Sequence, residues 1–203
     1  MGLRAITSAI MENTLAYRLW QAPFVADKFA PIAAANDLRA VRRVLDVGCG
    51  PGINTRLFPH TDYVGVDWNP RYTEYARRRY GRTFITADIT RHDFGRDRFD
   101  FILVNSFLHH VDTENARAIL GRLCRLLDPN GYIHSIEVVL PPRRSIPRLL
   151  AQYDRGHFAR PLDEWRSLFG EQLQEATFQP FIVPFLGVPL WEMVYFKGSA
   201  KPS

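Results

Sequence analysis

The stretch Val44-Leu45-Asp46-Val47-Gly48-Cys49-Gly50-Pro51-Gly52 decides the fold. It begins inside a short apolar run, Arg43 to Val47, of the kind that is buried on both faces of a parallel sheet. It continues through three glycines in alternate positions, and a helical pattern from Asn54 to Phe58 follows. Glycine lets main chain approach a ligand without a Cβ in the way. A helix N-terminus adds unsatisfied N–H donors and a partial positive charge. Strand, bend and helix in this order suit the polar end of a nucleotide-like ligand, including a carboxylate. The plain alternative is a tight turn with no ligand; three alternating glycines argue against it.

Outward from that bend the pattern repeats. Tyr63–Asp67, Thr83–Asp88, Phe99–Asn105 and Tyr132–Val138 are further strand-like runs. Tyr72–Tyr80 and Asn115–Leu127 read as helices between them. Alternating strand and helix predicts an α/β layered fold. The C-terminal part differs. Phe178–Pro184 and Trp191–Lys197 are separated by a turn region at Gly187 and Pro189, with no room for a helix, so they should pair antiparallel. Two helical pieces, Ile146–Tyr153 and Pro161–Phe169, fall in a longer insertion between Pro141 and Glu175. Upstream, Thr14–Trp20 and Phe24–Phe29 carry apolar residues at helical spacing, with Pro23 and Pro31 expected to break them. The expectation is one domain over residues 1–203: a helical cap (1–40), a core (41–138), a helical insertion (139–176) and a closing hairpin (177–197).

Composition bounds the function. The chain has 203 residues, of which 46% are hydrophobic and 23% charged, an ordinary globular mix. It has no apolar run of about 18 residues and no secretory signal, so no transmembrane span is expected and the default address is cytoplasmic. Cys49 and Cys124 form no Cys-x-x-Cys pair, which argues against disulfides or structural zinc. The net charge of +5 comes from scattered basic residues; the densest run, Arg77-Arg78-Arg79, lies on an amphipathic helix and reads as a solvated face.

The dinucleotide fingerprint is Gly-x-Gly-x-x-Gly, whereas the spacing here is Gly-x-Gly-x-Gly. Asp67 ends the second strand about 20 residues after the bend, where a carboxylate can accept both hydroxyls of a ribose. Val44–Gly52 resembles the first signature motif of class I S-adenosylmethionine-dependent methyltransferases. The resemblance extends through Asp67, Ala87-Asp88-Ile89, Phe99–Asn105 and Leu127-Asp128-Pro129-Asn130-Gly131, and so covers about residues 41–197. It implies a three-layer, doubly wound Rossmann-like sheet, mostly parallel, with seven strands and an antiparallel C-terminal hairpin, and S-adenosyl-L-methionine as cofactor. By the same resemblance Gly48, Cys49, Gly50 and Gly52 would wrap the methionine moiety while Asp46 orients its amino group. Asp67 would bind the ribose, Trp68 would pack on the adenine, and Asp88 and Ile89 would bind and line that ring. Asn105 would face the sulfonium and the substrate channel.

Departures from the family narrow the acceptor. No Pro-Pro-aromatic sequence follows the fourth strand, where Asn105-Ser106-Phe107-Leu108 stands, and no Pro-Cys nucleophile is present. That argues against nucleic acid and for a small-molecule, conceivably lipid-like, acceptor. Phe107-Leu108-His109-His110-Val111 resembles small-molecule methyltransferases, but His109 stands where quinone-type relatives often carry a magnesium-binding Glu, so no metal is expected. His109 and His110 are the candidate general bases, because a hydroxyl nucleophile needs a proton acceptor near neutral pH. Tyr17, Trp20, Tyr153, His157 and Trp165 lie where the family builds substrate pockets, with a core role as the simpler reading of each. The apolar N-terminal helices are also of a kind that rests on a membrane, although no clean basic/apolar division there supports it. The competing readings are a cofactor-binding module without catalysis, a nicotinamide oxidoreductase and an RNA methyltransferase. The oligomeric state, monomer or homodimer, stays open.

Overall fold

A computed structural model describes residues 24–153 and 157–202. Seven strands form one sheet: β1 (Arg43–Val47), β2 (Asp62–Asp67), β3 (Thr83–Thr86), β4 (Phe99–Asn105), β5 (Leu127–Val138), β6 (Leu173–Phe185) and β7 (Val188–Ala200). Their order is β3-β2-β1-β4-β5-β7-β6. The first five strands are parallel; β7 enters antiparallel between β5 and β6. The doubly wound sheet with its closing hairpin is as expected. The chain leaves β1 toward β2 and β3 on one side and returns to β4 on the other, so the switch point lies between β1 and β4, where open α/β sheets bind ligands.

Both faces are covered because successive side chains in a strand point to opposite sides. On β4, Ile102 and Val104 meet one apolar cluster, and Phe101 and Leu103 meet the other. The first face carries helices α3 (Thr113–Leu126) and α5 (Leu162–Gly170), which contribute Ile119, Leu123, Trp165 and Phe169. The second carries α1 (Val25–Ala35), α2 (Pro70–Tyr80) and α4 (Ile146–Tyr153), with Phe29, Ile32, Ala76 and Ala151 buried. Local chemistry sets the helix ends. Asn69 caps α2 by accepting from the Arg71 N–H, with Pro70 at the first position and left-handed Gly81 beyond the last turn. Asp112 caps α3 in the same way, through the Asn115 N–H.

Three expectations need correction. Pro31 does not break its helix: α1 runs from Val25 to Ala35 with Pro31 buried inside it, so packing of Phe29 and Ile32 outweighs the backbone hydrogen bond that proline removes. The element after the glycine bend is a 3₁₀ turn, Ile53–Leu57, and not an α-helix; Pro59 disfavours helical backbone at Phe58 and stops it. The hairpin is longer than its apolar runs. Its turn is Leu186-Gly187, both at positive φ, and Pro189 lies inside β7. Pro180 and Pro184 are tolerated because β6 is the sheet edge. The Thr14–Trp20 helix and the break at Pro23 lie outside the described residues.

One buried group makes the sheet acid-sensitive. His134 on β5 stacks on Phe101 at 3.8 Å, and its Nδ1 lies 3.0 Å from the Tyr195 hydroxyl. Burial, helped by Lys197, pushes its pKa down to about 3 from 6.5. A folded pKa below the unfolded one means that stability is present above about 6.5 and is lost as pH falls toward 3. Replacing His134 by Phe should flatten this limb. Urea unfolding at pH 7.5 and pH 5 is expected to show about 2 kcal/mol of loss in the wild type that the variant lacks.

Candidate functional site

The carboxyl ends of β1, β2, β4 and β5 converge on one end of the sheet. The bend after β1 is held by β2. Val66 O accepts from the N–H groups of Gly48 (2.8 Å) and Cys49 (3.1 Å), and Asp67 Oδ2 accepts from the Gly50 N–H at 2.9 Å. The Gly52 N–H turns inward onto Cys49 O at 3.0 Å. Gly48, Gly50 and Gly52 sit at φ 67°, 52° and 77°, the left-handed region that glycine enters at little cost. A Cβ on Gly48 would lie 2.6 Å from the Phe107 ring, and one on Gly52 would lie 2.8 Å from Phe84. These glycines therefore let aromatic rings close in behind the bend. The amides of Gly48, Cys49, Gly50 and Gly52 are spent on the bend itself and on β2, and Ile53 and Asn54 at the start of the following turn line the cleft.

Asp46 lies at the end of β1, fully buried on the same face as Tyr63. Its Oδ2 accepts from the Tyr63 hydroxyl and from Asn54 Nδ2 (3.0 Å), and its Oδ1 has no partner. Burial pushes its pKa up to about 7, against the two hydrogen bonds. Asp67 is also raised by burial, opposed by the N–H groups of Asn69 and Gly50. Each Asp67 oxygen accepts one such bond and keeps further acceptor capacity. A cleft lies against the bend, lined by Val25, Lys28 and Phe29 of α1 together with Gly48, Asn54 and Asn105. Asn105 Nδ2 reaches Asn54 Oδ1 at 3.4 Å. Cys49 also lines the cleft, but burial pushes its thiol well above the usual range, which leaves it inert.

Other sequence candidates lie elsewhere. Trp68 is 80% exposed beside Asp67. Asp88 is exposed and accepts from the Thr90 N–H (2.8 Å) and hydroxyl (2.7 Å), an Asx turn that lowers its pKa. Ile89 is buried in the core with Val64, Val66 and Phe94. Trp165 is wholly buried, and its Nε1 donates to Val138 O at 3.0 Å; it packs in the core. Tyr153 and His157 are exposed. Tyr17 and Trp20 lie outside the described residues.

His109 is buried and outside the cleft lining, while His110 is exposed, its ring 4.2 Å from that of His109. Sequence reasoning missed what holds them. Glu137, fully buried at the end of β5, lies 2.7 Å from His109 Nδ1 and accepts from the N–H groups of Phe107, Leu108 (2.9 Å) and His109. Arg160 donates to Leu108 O, Val111 O and Phe158 O and covers the Trp165 ring at 4.8 Å, tying the insertion to the same turn. Ser106 holds φ 54° between Asn105 and this turn, a conformation rare outside glycine. Lys28 is the other omission: it is 8% exposed and lines the cleft.

Among the described residues, no cluster of His, Cys, Asp and Glu is suited to a metal, and no helix is long and apolar enough to cross a membrane. Residues 44–131 match a family described as "Methyltransferase domain". A malonyl-[acyl-carrier protein] O-methyltransferase of Legionella pneumophila is 30% identical over 102 residues, covering 46% of this chain and 35% of the relative. A trans-aconitate 2-methyltransferase of Methylobacterium radiotolerans is 28% identical over 181 residues, covering 84% and 68%. The chain spans between about a third and a half of the first curated relatives it matches, 35% and 53% of their lengths. The solved structure of the N-methyltransferase NodS from Bradyrhizobium japonicum with S-adenosyl-L-homocysteine superposes with a TM-score of 0.65 at 17% identity, over 91% of this chain and 87% of that one. The plantazolicin methyltransferase BpumL with the same ligand gives 0.70 at 18% identity, over 96% and 90%.

If Glu137 is the anchor of the 106–110 turn, its removal strands three buried N–H groups and His109. Glu137→Ala is expected to cost about 3–5 kcal/mol in urea unfolding, and Glu137→Gln, which keeps an acceptor oxygen, clearly less.

Proposed function

From a chain whose residues 44–131 match a family described as a methyltransferase domain, we propose an enzyme that transfers the methyl group of S-adenosylmethionine to a small-molecule acceptor. The observation that carries this reading is the partnerless, buried Asp46 Oδ1 beside the self-closed glycine bend, with Asp67 on the next strand. A buried carboxylate oxygen left unpaired is costly unless a cation meets it. The amino group of a methionine moiety is such a cation. Lys28, which lines the cleft, is the candidate cation for the methionine carboxylate. Asp67 keeps lone pairs for ribose hydroxyls. Trp68, exposed beside it, is free to cover an adenine face. Asp88 and Ile89 have weaker claims to the adenine, being engaged by Thr90 and by the core.

Bound S-adenosylmethionine supplies a methyl group on a sulfonium, ready for in-line displacement. The chain's own task is then alignment and exclusion of water, effects that together supply about 7–11 kcal/mol in well-oriented reactions. Asn105 at the end of β4, with Asn54, offers polar contacts at the cleft wall. For an acceptor that must lose a proton, the candidate base is the His109–Glu137 pair. The carboxylate at Nδ1 favours the tautomer with Nε2 unprotonated. Because His109 is buried away from the cleft lining, its first role is to position the Asn105–His110 turn. The malonyl-[acyl-carrier protein] and trans-aconitate enzymes among the relatives favour a small or carrier-borne acid as acceptor.

Calorimetry with S-adenosylhomocysteine tests this reading. Asp67→Ala should weaken binding by about ten- to a hundred-fold, the worth of charge-assisted hydrogen bonds, whereas Asp88→Ala should change it little. Asp46 must ionise to meet an ammonium, so affinity should fall as pH drops below about 7, by up to ten-fold per unit. In the free chain the sign is opposite. The raised Asp46 pKa means that its contribution to stability is present below about 3.8 and is lost as pH rises toward 7. Asp46→Asn should flatten both trends. Binding indifferent to Asp67→Ala would overturn the reading.

A further inference from the structure

The tip of the β6–β7 hairpin, Phe181-Ile182-Val183-Pro184-Phe185-Leu186-Gly187-Val188-Pro189-Leu190-Trp191, contains no charged or hydrogen-bonding side chain except the indole N–H of Trp191. It is not a core segment: Ile182, Phe185, Leu186 and Val188 are exposed, Leu186 at 89%. Soluble surfaces rarely carry so long an apolar run in the open. The last ladder pair between β5 and β7 is Val138 with Met193, and Val139 N–H donates to Glu192 O at 2.9 Å. Val188–Trp191 therefore overhangs the sheet by four residues, roughly 13 Å. It does so at the carboxyl end of the parallel strands, where the cleft opens. Phe185 meets Phe24 at 5.8 Å, so the tip adjoins the start of α1, the helix that brings Val25, Lys28 and Phe29 to the cleft.

The second observation is chemical. Helix α4 packs on β7, and its Ile146, Leu149 and Tyr153 point to solvent. The stretch Leu140-Pro141-Pro142-Arg143-Arg144-Ser145-Ile146-Pro147-Arg148-Leu149-Leu150-Ala151-Gln152-Tyr153 holds three arginines and no acidic residue. Arg143 and Arg144 are exposed; Arg148 donates to Pro141 O. Exposed apolar side chains flanked by cations are the signature of a surface that inserts among acyl chains while its charges meet anionic headgroups. The chain's net charge of +5 has the same sign.

The third observation is conformational. Leu186 holds φ 50° at the first position of a two-residue hairpin turn, and Gly187 holds φ 79° at the second. Asn or Asp followed by Gly suits such a turn; leucine is strained there and, being exposed, gains no core contact in return. A strained residue that stays exposed among the described residues points to an occupant of that face.

We propose that the hairpin tip and α4 form a docking face for an anionic lipid bilayer, with Leu186, Val188, Ile146 and Leu149 entering the interface and Arg143 and Arg144 meeting headgroups. A second copy of this chain is the weaker candidate, because the half-buried Glu192 is the nearest acid that the described part of the hairpin offers to pair with the arginines. The inference goes beyond methyl transfer and does not depend on it. Where both hold, the α1 side of the cleft lies next to the bilayer, and an amphiphilic acceptor is delivered from there.

The test is co-sedimentation of the full chain with vesicles of phosphatidylcholine alone or mixed with phosphatidylserine, alongside sedimentation velocity without lipid. Capture is expected on the mixed vesicles and should weaken with salt. It should fall about five-fold for each of Arg143→Gln and Arg144→Gln, the usual worth of a basic side chain at an anionic surface. Leu186→Asn with Val188→Thr should reduce capture at least ten-fold while the unfolding temperature stays level or rises, since asparagine accepts the left-handed conformation. S-adenosylhomocysteine binding should not change in that variant. No capture by mixed vesicles, equal capture by both vesicle types, or capture unaffected by Leu186→Asn with Val188→Thr would overturn the proposal. A concentration-dependent dimer abolished by the same variant, with no vesicle capture, would overturn it in favour of self-association.

Discussion

Three consecutive amides of the bend, those of Gly48, Cys49 and Gly50, are captured by the end of β2 through Val66 O and Asp67 Oδ2. The rest of the site depends on this closure. It forces left-handed backbone at Gly48 and Gly50, and it lets Phe107 and Phe84 pack where side chains would otherwise stand. It also places the Asp67 carboxylate against the bend. A buried carboxylate holding main-chain N–H groups is among the stronger hydrogen-bonding arrangements available to a protein. The same residue that would grip a sugar thus also builds the loop, so loss of Asp67 would disturb shape as well as chemistry.

That closure changes how the anionic end of the ligand is understood. A strand–glycine–helix motif suggests phosphate-type recognition by helix-end amides, but here the amides of Gly48, Cys49, Gly50 and Gly52 are engaged and the following element is one short 3₁₀ turn. In the proposed reading, Asp46 at the end of β1 and Lys28 in the cleft lining supply one charge of each sign for the methionine moiety. The site is therefore split between the sheet edge and a helix that packs across it.

Much of the architecture was legible because it rests on period and punctuation. Buried parallel strands such as Ile102–Val104 are unbroken apolar runs, and Asn69-Pro70 and Asp112 mark helix starts. What escaped depends on contacts distant in sequence. Pro31 is carried inside α1 by the burial of Phe29 and Ile32, which no local rule registers. The outer half of the hairpin, Leu173–Thr177, is polar because it lies on the sheet edge, so its strand character has no apolar signature. Glu137 looked like one more residue in a strand; only the parallel register of β4 with β5 brings it under the His109 turn. Lys28 reads as a solvated helix charge until α1 is laid against the bend. Trp165 and Asp88 are the converse: the right residue types near the right place, spent on the core and on an Asx turn.

The cradle itself is tested most directly by a crystal structure of the chain with S-adenosylhomocysteine. The ligand's amino group is expected within hydrogen-bonding distance of Asp46 Oδ1, its ribose on Asp67 and its carboxylate toward Lys28. Ligand density lying away from the Gly48–Gly52 bend, with Asp46 Oδ1 still unpaired, would contradict it.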